Sequence, residues 1–357
     1  MNAFIAWTPL HVINIINTAV NYFPNQQNDL FIYDEFNGAD DIYQQLLKME
    51  VFNNIYKISH KETGNTVTKA FNMLINNQSL VSLDTTYNNL FIQGGNYFSK
   101  ILYGETKKKN KKVKLHYIED GLGAYTGSPI IRMDTKAKKL VKFLNRHSMY
   151  HADIDSYYVY EPNLVAAKFD APYIKLPKLD HENDARILIM NAFGLDDMSD
   201  RQLADKILFF DQPLLKGGLP IDEVGFIEDV LKRSPEYPVI VKLHPRSTGD
   251  KYGELEILET NLPWELYCLN LKMKNVYLLS ISTTAAFTPY LMFGLKMPVI
   301  VLTSYYLKKL KEENSNEQTI SMFENLVSFS RYYQENVGAV IHMPESLEEL
   351  AELLRRH

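Results

Sequence analysis

The chain is poor in cysteine, since Cys268 is the single one among 357 residues. A disulfide within one chain needs two cysteines and a cysteine-based zinc site needs several, so both are excluded. The sequence also has no excess of positive charge, because its formal net charge is −5 at pH 7. We therefore expect no nucleic-acid partner.

Long apolar runs are missing as well. No stretch of about 18 apolar residues occurs, so no transmembrane helix is predicted. The apolar N-terminal segment MNAFIAWTPLHVINII lacks the basic start and the cleavage site of a signal peptide. These absences predict a cytoplasmic protein. Peripheral contact with the inner face of the plasma membrane stays open, since the basic run 107–114 is either a membrane-facing patch or, more ordinarily, a solvated loop.

Short apolar runs alternate with helical patterns along the chain, which is typical of βαβ units and parallel sheets. The predicted strands of the first half are 3–7, 30–33, 54–57, 89–92, 114–118 and 156–160. Those of the second half are 186–191, 206–209, 239–243, 276–281 and 298–302, with helices at 222–233, 283–293 and 345–355.

The stretch 171–185, with two prolines and many polar residues, is interpreted as a linker between two halves. With 46% hydrophobic residues, the chain can bury two cores. We therefore predict an α/β protein with a GT-B-like fold, in which two Rossmann-type domains with mainly parallel sheets occupy residues 1–178 and 186–357.

Polar residues stand where predicted strands end, and ligands of parallel α/β sheets bind at that edge. Glu119-Asp120-Gly121 follows one strand, so a carboxylate there could orient an acceptor or take a proton, although Asp-Gly is also a common turn pair. His244-Pro245 ends another strand, and the histidine either donates to a phosphate or is a satisfied core histidine.

Two further groups mark predicted helix starts. Ser282 and Thr283 open an apolar helix, where they either bind an anion or simply cap the helix. A Walker lysine and a glycine-rich loop are missing there, so a P-loop is not expected. Asp222 begins another helix, 22 positions before His244, and is either a catalytic base or a helix cap.

The ordered set Glu119-Asp120-Gly121, His244-Pro245 and Ser282-Thr283 resembles the motifs of bacterial sialyltransferases. It is most similar to glycosyltransferase family 52, which includes lipooligosaccharide and capsule sialyltransferases. Three further segments support the resemblance: Trp7-Thr8-Pro9-Leu10, Phe210-Asp211-Gln212-Pro213-Leu214 and Pro263-Trp264-Glu265-Leu266-Tyr267.

The resemblance implies an inverting, metal-independent enzyme that uses CMP-sialic acid as donor and needs no cofactor. It places the donor in the second domain, where His244 contacts the phosphate and assists departure of the leaving group. Ser282, Thr283 and Pro245 would bind the phosphate, and Glu265 the ribose.

The resemblance leaves the base open between two aspartates. Asp222 occupies the place of the base in family 52, while Asp120 occupies its place in related bacterial sialyltransferases. We favour Asp222 here, so Asp120 shapes the site. Thr8, Glu119 and Gly121 lie on the acceptor side, in the first domain.

The expected acceptor is a galactose-terminated oligosaccharide or lipid-linked glycan of a capsule or lipooligosaccharide, with α2,3 linkage favoured over α2,6. The family also suggests a homodimer. Three alternatives remain: a GT-B transferase that uses a UDP-sugar or CMP-Kdo, a polysialyltransferase with the same motifs, and a nucleotide-sugar-binding assembly protein without activity.

Overall fold

The computed structural model describes residues 1–75, 85–127, 130, 131, 133, 135–165, 169–195, 202–214, 219, 221–233, 238–244, 247, 249–258, 262–313 and 315–355. It divides into two compact units, Met1–Asp196 and Asp197–His357. This division falls later in the chain than the domain limits at residues 178 and 186 expected from the sequence.

In the described part of the first unit, seven strands form one parallel sheet in the order β3-β2-β1-β4-β5-β6-β7. The strands are β1 (Asn2–Ala6), β2 (Asn28–Tyr33), β3 (Asn54–Ile58), β4 (Asn89–Ile92), β5 (Lys114–Ile118), β6 (Ser156–Val159) and β7 (Tyr173–Lys175). The helices are α1 (Pro9–Tyr22), α2 (Ala39–Leu46), α3 (Thr66–Ile75), α4 (Tyr97–Lys109), α5 (Lys136–Leu144) and α6 (Ala185–Ala192).

The centre of this sheet follows directly from its apolar residues. All residues of β1 and β2 are buried, as expected for strands covered by helices on both faces. Helix α1 begins where Thr8 caps it and Pro9 takes the first helical position, which costs no hydrogen bond because that N–H would be unpaired anyway.

In the described part of the second unit, six strands form a parallel sheet in the order β10-β9-β8-β11-β12-β13. The strands are β8 (Gln202–Phe210), β9 (Val239–Lys242), β10 (Glu256–Ile257), β11 (Lys272–Ser280), β12 (Val299–Val301) and β13 (Ile341–His342). The helices are α7 (Glu223–Arg233), α8 (Trp264–Asn270), α9 (Thr288–Phe293), α10 (Thr303–Glu312), α11 (Glu317–Val337) and α12 (Leu347–Arg355).

Both sheets reverse their strand order once, between β1 and β4 in the first unit and between β8 and β11 in the second. In doubly wound folds such a reversal opens a crevice at the carboxyl ends of the strands, and ligands bind there. The predicted α/β class with two mainly parallel sheets is therefore confirmed. The topology also predicts where ligands bind, at the carboxyl ends of β1 and β4 and of β8 and β11.

Three elements differ from the sequence-based expectations. Residues 186–191 form helix α6 rather than a strand, because Ala185, Ile189 and Ala192 share a face that packs on α1 and α2. Strand β7 lies inside the expected linker. The expected helix 283–293 is a 3₁₀ turn, Thr284–Ala286, followed by α9, because Pro289 has no N–H to continue the helical ladder.

Over the described residues, no helix combines the length and the apolar character needed to cross a membrane.

Candidate active site

A buried histidine meets a half-exposed carboxylate at the reversal point of the first sheet. The His11 ring is fully buried, and its Nδ1 accepts a hydrogen bond from the backbone N–H of Trp7 at 3.3 Å. Its Nε2 lies 3.0 Å from Oδ1 of Asp120, whose side chain is 43% exposed. Because Nδ1 accepts, the proton of a neutral ring resides on Nε2 and is donated to Asp120. The imidazole therefore orients the carboxylate.

The surrounding loops hold this pair in place. Thr8 accepts a hydrogen bond from the backbone N–H of His11 at 3.2 Å, which sets the start of α1. Gly94, after β4, has φ +111°, and a side chain there would meet the Trp7 ring at 3.4 Å and Asp120 Oδ2 at 3.9 Å. Gly121 has φ +62°, so the turn after Asp120 favours glycine. Thr8 and Gly121 thus shape the cluster that contains Asp120.

Glu119, expected on the acceptor side, turns into the core instead. Its carboxylate accepts hydrogen bonds from the Tyr125 hydroxyl and from the backbone N–H of Tyr160, the latter at 2.8 Å. Asn14 donates to its backbone carbonyl at 2.8 Å. Burial raises the pKa of Glu119 to about 8. Of the two adjacent acidic residues, Asp120 lies at the edge of the sheet, whereas Glu119 stabilises the loop after β5 through its buried hydrogen bonds.

In the second unit, His244 and Ser282 lie at one edge of the sheet. Two consecutive residues, Asp211 and Gln212, form hydrogen bonds to them. Strand β8 lies between β9 and β11, so Asp211 and Gln212 stand between the two groups. Asp211 Oδ2 accepts a hydrogen bond from the backbone N–H of His244 at 3.0 Å. Gln212 accepts from the Ser282 N–H at 2.9 Å and donates to its hydroxyl at 3.1 Å. The backbone of His244 and the turn that contains Ser282 therefore lie at the same edge of the second sheet.

A buried ionic network supports the His244 loop. The Asp211 side chain is fully buried and bonds to Lys251 Nζ at 2.7 Å and to the Tyr252 hydroxyl. Lys251 also lies 3.1 Å from Glu223. Burial alone would raise the pKa of Asp211, but these hydrogen bonds outweigh it and hold the pKa below its usual value. The ionised Asp211 is thus a fixed anchor for the backbone of His244.

The hydroxyl run after β11 builds a short turn. Thr283 caps it by accepting from the backbone N–H of Ala285 at 3.3 Å, while Ser280 accepts from the N–H of Thr283 at 2.9 Å. Trp264, at the start of α8, donates its indole N–H to the Ala285 carbonyl at 3.0 Å. The hydroxyls of Ser282 and Thr283 thus lie at this edge, the first bonded to Gln212 and the second to the Ala285 N–H.

A buried amine lies at the end of β9, two residues before His244. Lys242 is 9% exposed, and its ammonium makes a 3.5 Å contact with the Leu243 carbonyl. Burial lowers the pKa of Lys242, and the charge of Glu265 opposes that effect. Burial also raises the pKa of Glu265, in the first turn of α8. The carboxylate of Glu265 is therefore the counter-charge that this amine meets within the protein.

Asp222 has a different environment. It is exposed and accepts a hydrogen bond from the backbone N–H of Gly225 at 3.0 Å, which caps α7. It lines a groove of ≈370 Å³ together with Tyr305 and Lys309 of α10. Its carboxylate is therefore engaged in capping. Pro245, expected at the phosphate, lies outside the described residues.

The described residues offer no group of three His, Cys, Asp or Glu side chains that could hold a metal ion. The chain does contain an Asp-x-Asp triplet, Asp153-Ile154-Asp155. It lies just before β6, where Asp155 accepts from the backbone N–H of Leu115 at 2.8 Å. That position is the amino edge of the sheet, opposite the edge that carries Asp120.

Several residues of these clusters have no role in the sequence-based site, among them His11, Asp211, Gln212 and Lys242. His11 stands in an apolar helix, where a lone histidine has no distinguishing neighbour in sequence. Asp211 and Gln212 belong to the segment 210–214 that supports the family resemblance, and Lys242 lies two residues before His244, so their proximity to strand ends could have suggested them.

Two parallel α/β units, each with a polar cluster at the reversal of its strand order, define a GT-B-like fold. The chain belongs to the alpha-2,8-polysialyltransferase (POLYST) family, whose model matches residues 5–333. It is therefore a sialyltransferase. The match favours the polysialyltransferase alternative over the α2,3 transfer to galactose that the sequence analysis preferred.

Solved structures with a similar fold have low sequence identity to this chain. The UDP-GlcNAc 2-epimerase of Methanocaldococcus jannaschii is 14% identical, with a TM-score of 0.49 over 99% of this chain and 92% of that one. The UDP-GlcNAc 2-epimerase of Neisseria meningitidis is 15% identical, with a TM-score of 0.46 over 100% of both chains. The spinosyn forosaminyltransferase SpnP is 10% identical, with a TM-score of 0.48 over 99% of each. At these values the likeness carries no argument about function. No curated protein matches the chain in sequence.

Proposed function

We propose that this protein transfers sialic acid from CMP-sialic acid to a sialic acid-terminated glycan and forms α2,8 linkages. The family match over residues 5–333 carries this proposal. The motif resemblance to family 52 supports the same donor, with direct displacement and no metal. Since CMP-sialic acid has a β linkage, displacement by the acceptor hydroxyl inverts the anomeric centre and yields an α product.

The donor site is assigned to the carboxyl edge of the second sheet. The departing cytidylate carries negative charge, so preorganised hydrogen-bond donors aimed at its oxygens lower the barrier. His244 donates to the phosphate and assists departure, and the hydroxyls of Ser282 and Thr283 bind it. Lys242 supplies a positive charge near the same edge, and Glu265 binds the ribose. The Asp211–Gln212 contacts support this assignment, because they join His244 and Ser282.

The base is assigned to Asp120 rather than to Asp222. A general base must be exposed enough to reach the acceptor hydroxyl and must be held in one orientation. Asp120 meets both conditions, since its side chain is 43% exposed and bonds to the buried His11. Asp222 is exposed too, but the hydrogen bond that holds it comes from the Gly225 N–H at the start of α7 and not from a buried side chain. Asp222 stays the alternative, on the strength of its place in family 52.

The experiment is transfer from CMP-sialic acid to a panel of defined acceptors. We expect a ladder of longer products from an α2,8-disialyl lactoside and none from lactose, with the linkage identified by NMR. Sialyllactose formed from lactose would instead support the α2,3 alternative. Transfer from CMP-Kdo or a UDP-sugar, or CMP binding without turnover by the folded protein, would overturn the proposal.

A further inference from the structure

A narrow space lies between the Trp7 ring and the Asp120 carboxylate at the edge of the first sheet. Gly94 borders it, because a Cβ added there would lie 3.4 Å from the indole Cζ2 and 3.9 Å from Asp120 Oδ2. Gln93, the preceding residue, donates to the His11 carbonyl at 3.1 Å and so fixes this loop on α1. We call the space between Trp7, Gly94 and Asp120 the Gly94 gap. The Asp120 side chain is 43% exposed, so a ligand can reach its carboxylate.

The Trp7 indole is held on one side and open on another. Its ring lies nearly perpendicular to that of His11, with the centroids 4.2 Å apart, and the residue is partly exposed. Among the described residues its indole N–H forms no hydrogen bond, and the nitrogen is not buried. The Cζ2 atom beside Gly94 is bonded to the carbon that carries this N–H. A hydrogen-bond donor therefore lies next to the Gly94 gap and can meet a ligand there.

One sugar carbon can contact both sides of the Gly94 gap. A carbon that packs on the Trp7 ring lies about 3.5–4.0 Å from it. If the hydroxyl of that carbon bonds to Asp120, the carbon lies about 3.6 Å from the accepting oxygen. Together these separations are as long as the largest distance that the two Cβ contacts at Gly94 allow between the indole and the carboxylate. A hydroxyl placed for deprotonation by Asp120 can therefore belong to a carbon in contact with Trp7.

We propose that Trp7 binds the attacking sugar of the acceptor and that Gly94 keeps the space for it. The indole packs on the carbon that bears the attacking hydroxyl and donates its N–H to an oxygen of the same sugar. An apolar ring with a single polar group suits a ligand that has both C–H and O–H groups. The inference rests on the proposed function, since it takes Asp120 as the base. The attacking sugar is then a sialic acid, and its three-carbon side chain, which carries hydroxyl 8, contacts Trp7.

The first test follows tryptophan fluorescence while the purified full chain, saturated with CMP, is titrated with an α2,8-disialyl lactoside. The chain contains two tryptophans, and the other one, Trp264, is 4% exposed. We expect the acceptor to change the emission of the unchanged protein and to leave that of Trp7→Phe unaltered. A response that persists in Trp7→Phe, or a folded, unchanged protein that shows none at saturating acceptor, would overturn the proposal.

The same titration with lactose separates this inference from the proposed acceptor. Lactose should have no effect on the emission. If lactose changes it through Trp7 and the disialyl lactoside does not, the proposed sialic acid acceptor is wrong, whereas the role of Trp7 is supported. Binding is measured without CMP-sialic acid, so the result does not depend on turnover.

A second test distinguishes sugar binding from a structural role through His11. Trp7→Phe loses one hydrogen bond, so KM for the acceptor should rise about five-fold, with kcat and acceptor-free hydrolysis of CMP-sialic acid unchanged. Trp7→Leu also loses the aromatic contact, and its KM should rise about thirty-fold or more. Tyr43→Leu removes a partly buried aromatic ring from α2 as a control and should change neither constant. A fall in kcat and in donor hydrolysis at unchanged KM would show that Trp7 only positions Asp120, against the proposal.

Gly94→Ala tests the gap directly. The φ of +111° strains any other residue there, and the added methyl group would contact the Trp7 ring, so kcat/KM for the acceptor should fall about ten-fold or more. Gly38→Ala is the matched control, because Gly38 has φ +82° and no described atom within 4 Å of an added Cβ. It introduces comparable strain without filling a binding space and should keep its activity. Circular dichroism verifies the fold, and equal activity of the two folded variants would refute the role of Gly94.

Discussion

Asp120→Asn should abolish most of the turnover while the protein remains folded and still binds CMP. The substitution keeps the shape of the side chain and an oxygen that can accept the His11 hydrogen bond, but it removes the group that takes a proton. Loss of a general base lowers the rate by about 10²–10⁴-fold. Because the Asp120 side chain is 43% exposed, the effect on folding should be small.

Asp222→Asn is the matched comparison, since it makes the same chemical change at the competing position. Asparagine caps helices about as well as aspartate, so the bond to the Gly225 N–H is kept. Only the charge near the helix start is lost, at about 0.3–1 kcal/mol of stability. We expect turnover close to that of the unchanged protein.

The assay is the initial rate of CMP release with saturating acceptor, together with calorimetric titration of CMP. The reasoning is refuted if Asp222→Asn is inactive and Asp120→Asn is active. It is also refuted if both variants turn over normally, since neither carboxylate would then be the base.

Three more predictions concern the remaining groups. His244→Ala should lower turnover by about 10²-fold or more, because a donor to the leaving phosphate is lost; near-normal rates of a folded variant would remove that role. Lys242→Met keeps the buried stem but removes the charge, so KM for CMP-sialic acid should rise about ten-fold or more, and an unchanged KM would separate Lys242 from the donor. Glu119→Gln should change how stability depends on pH. The folded pKa of Glu119, about 8, lies above its unfolded value, so its stabilising contribution is complete below the unfolded pKa and is lost as pH rises through 8. The free energy of unfolding of the unchanged protein, measured in urea, should therefore fall as the pH rises from about 5 to 8, and the Gln variant should lack that component. Identical slopes for the two proteins would contradict a raised pKa.

The pattern of apolar residues along the chain predicts the positions of most strands. Strands β4 and β5 begin and end where they were predicted, and in β4 the reason is a continuous apolar segment, Leu90–Ile92, that is buried. It failed at α6, whose run Ile187-Leu188-Ile189-Met190 has the composition of a buried strand. A short apolar run does not distinguish a strand from a buried helix, and the packing of α6 on α1 decided it.

The motifs lie at strand ends as expected, but the sequence did not predict the direction of each side chain. Glu119 and Asp120 are adjacent and chemically alike, yet one enters the core and the other faces outward. Their directions depend on Tyr125, Tyr160 and His11, which are distant in the chain. His11 could not be recognised as a partner of Asp120 from a separation of 109 residues.

By itself, the sequence determined the two α/β units, the order of the polar motifs and their positions at strand ends. These features depend on local patterns of apolar residues, prolines and glycines. Only the tertiary structure decided that Asp211 and Gln212 lie between His244 and Ser282, and that a buried imidazole orients Asp120. Strand order and burial arise from contacts between segments far apart in the chain, and no local pattern records them.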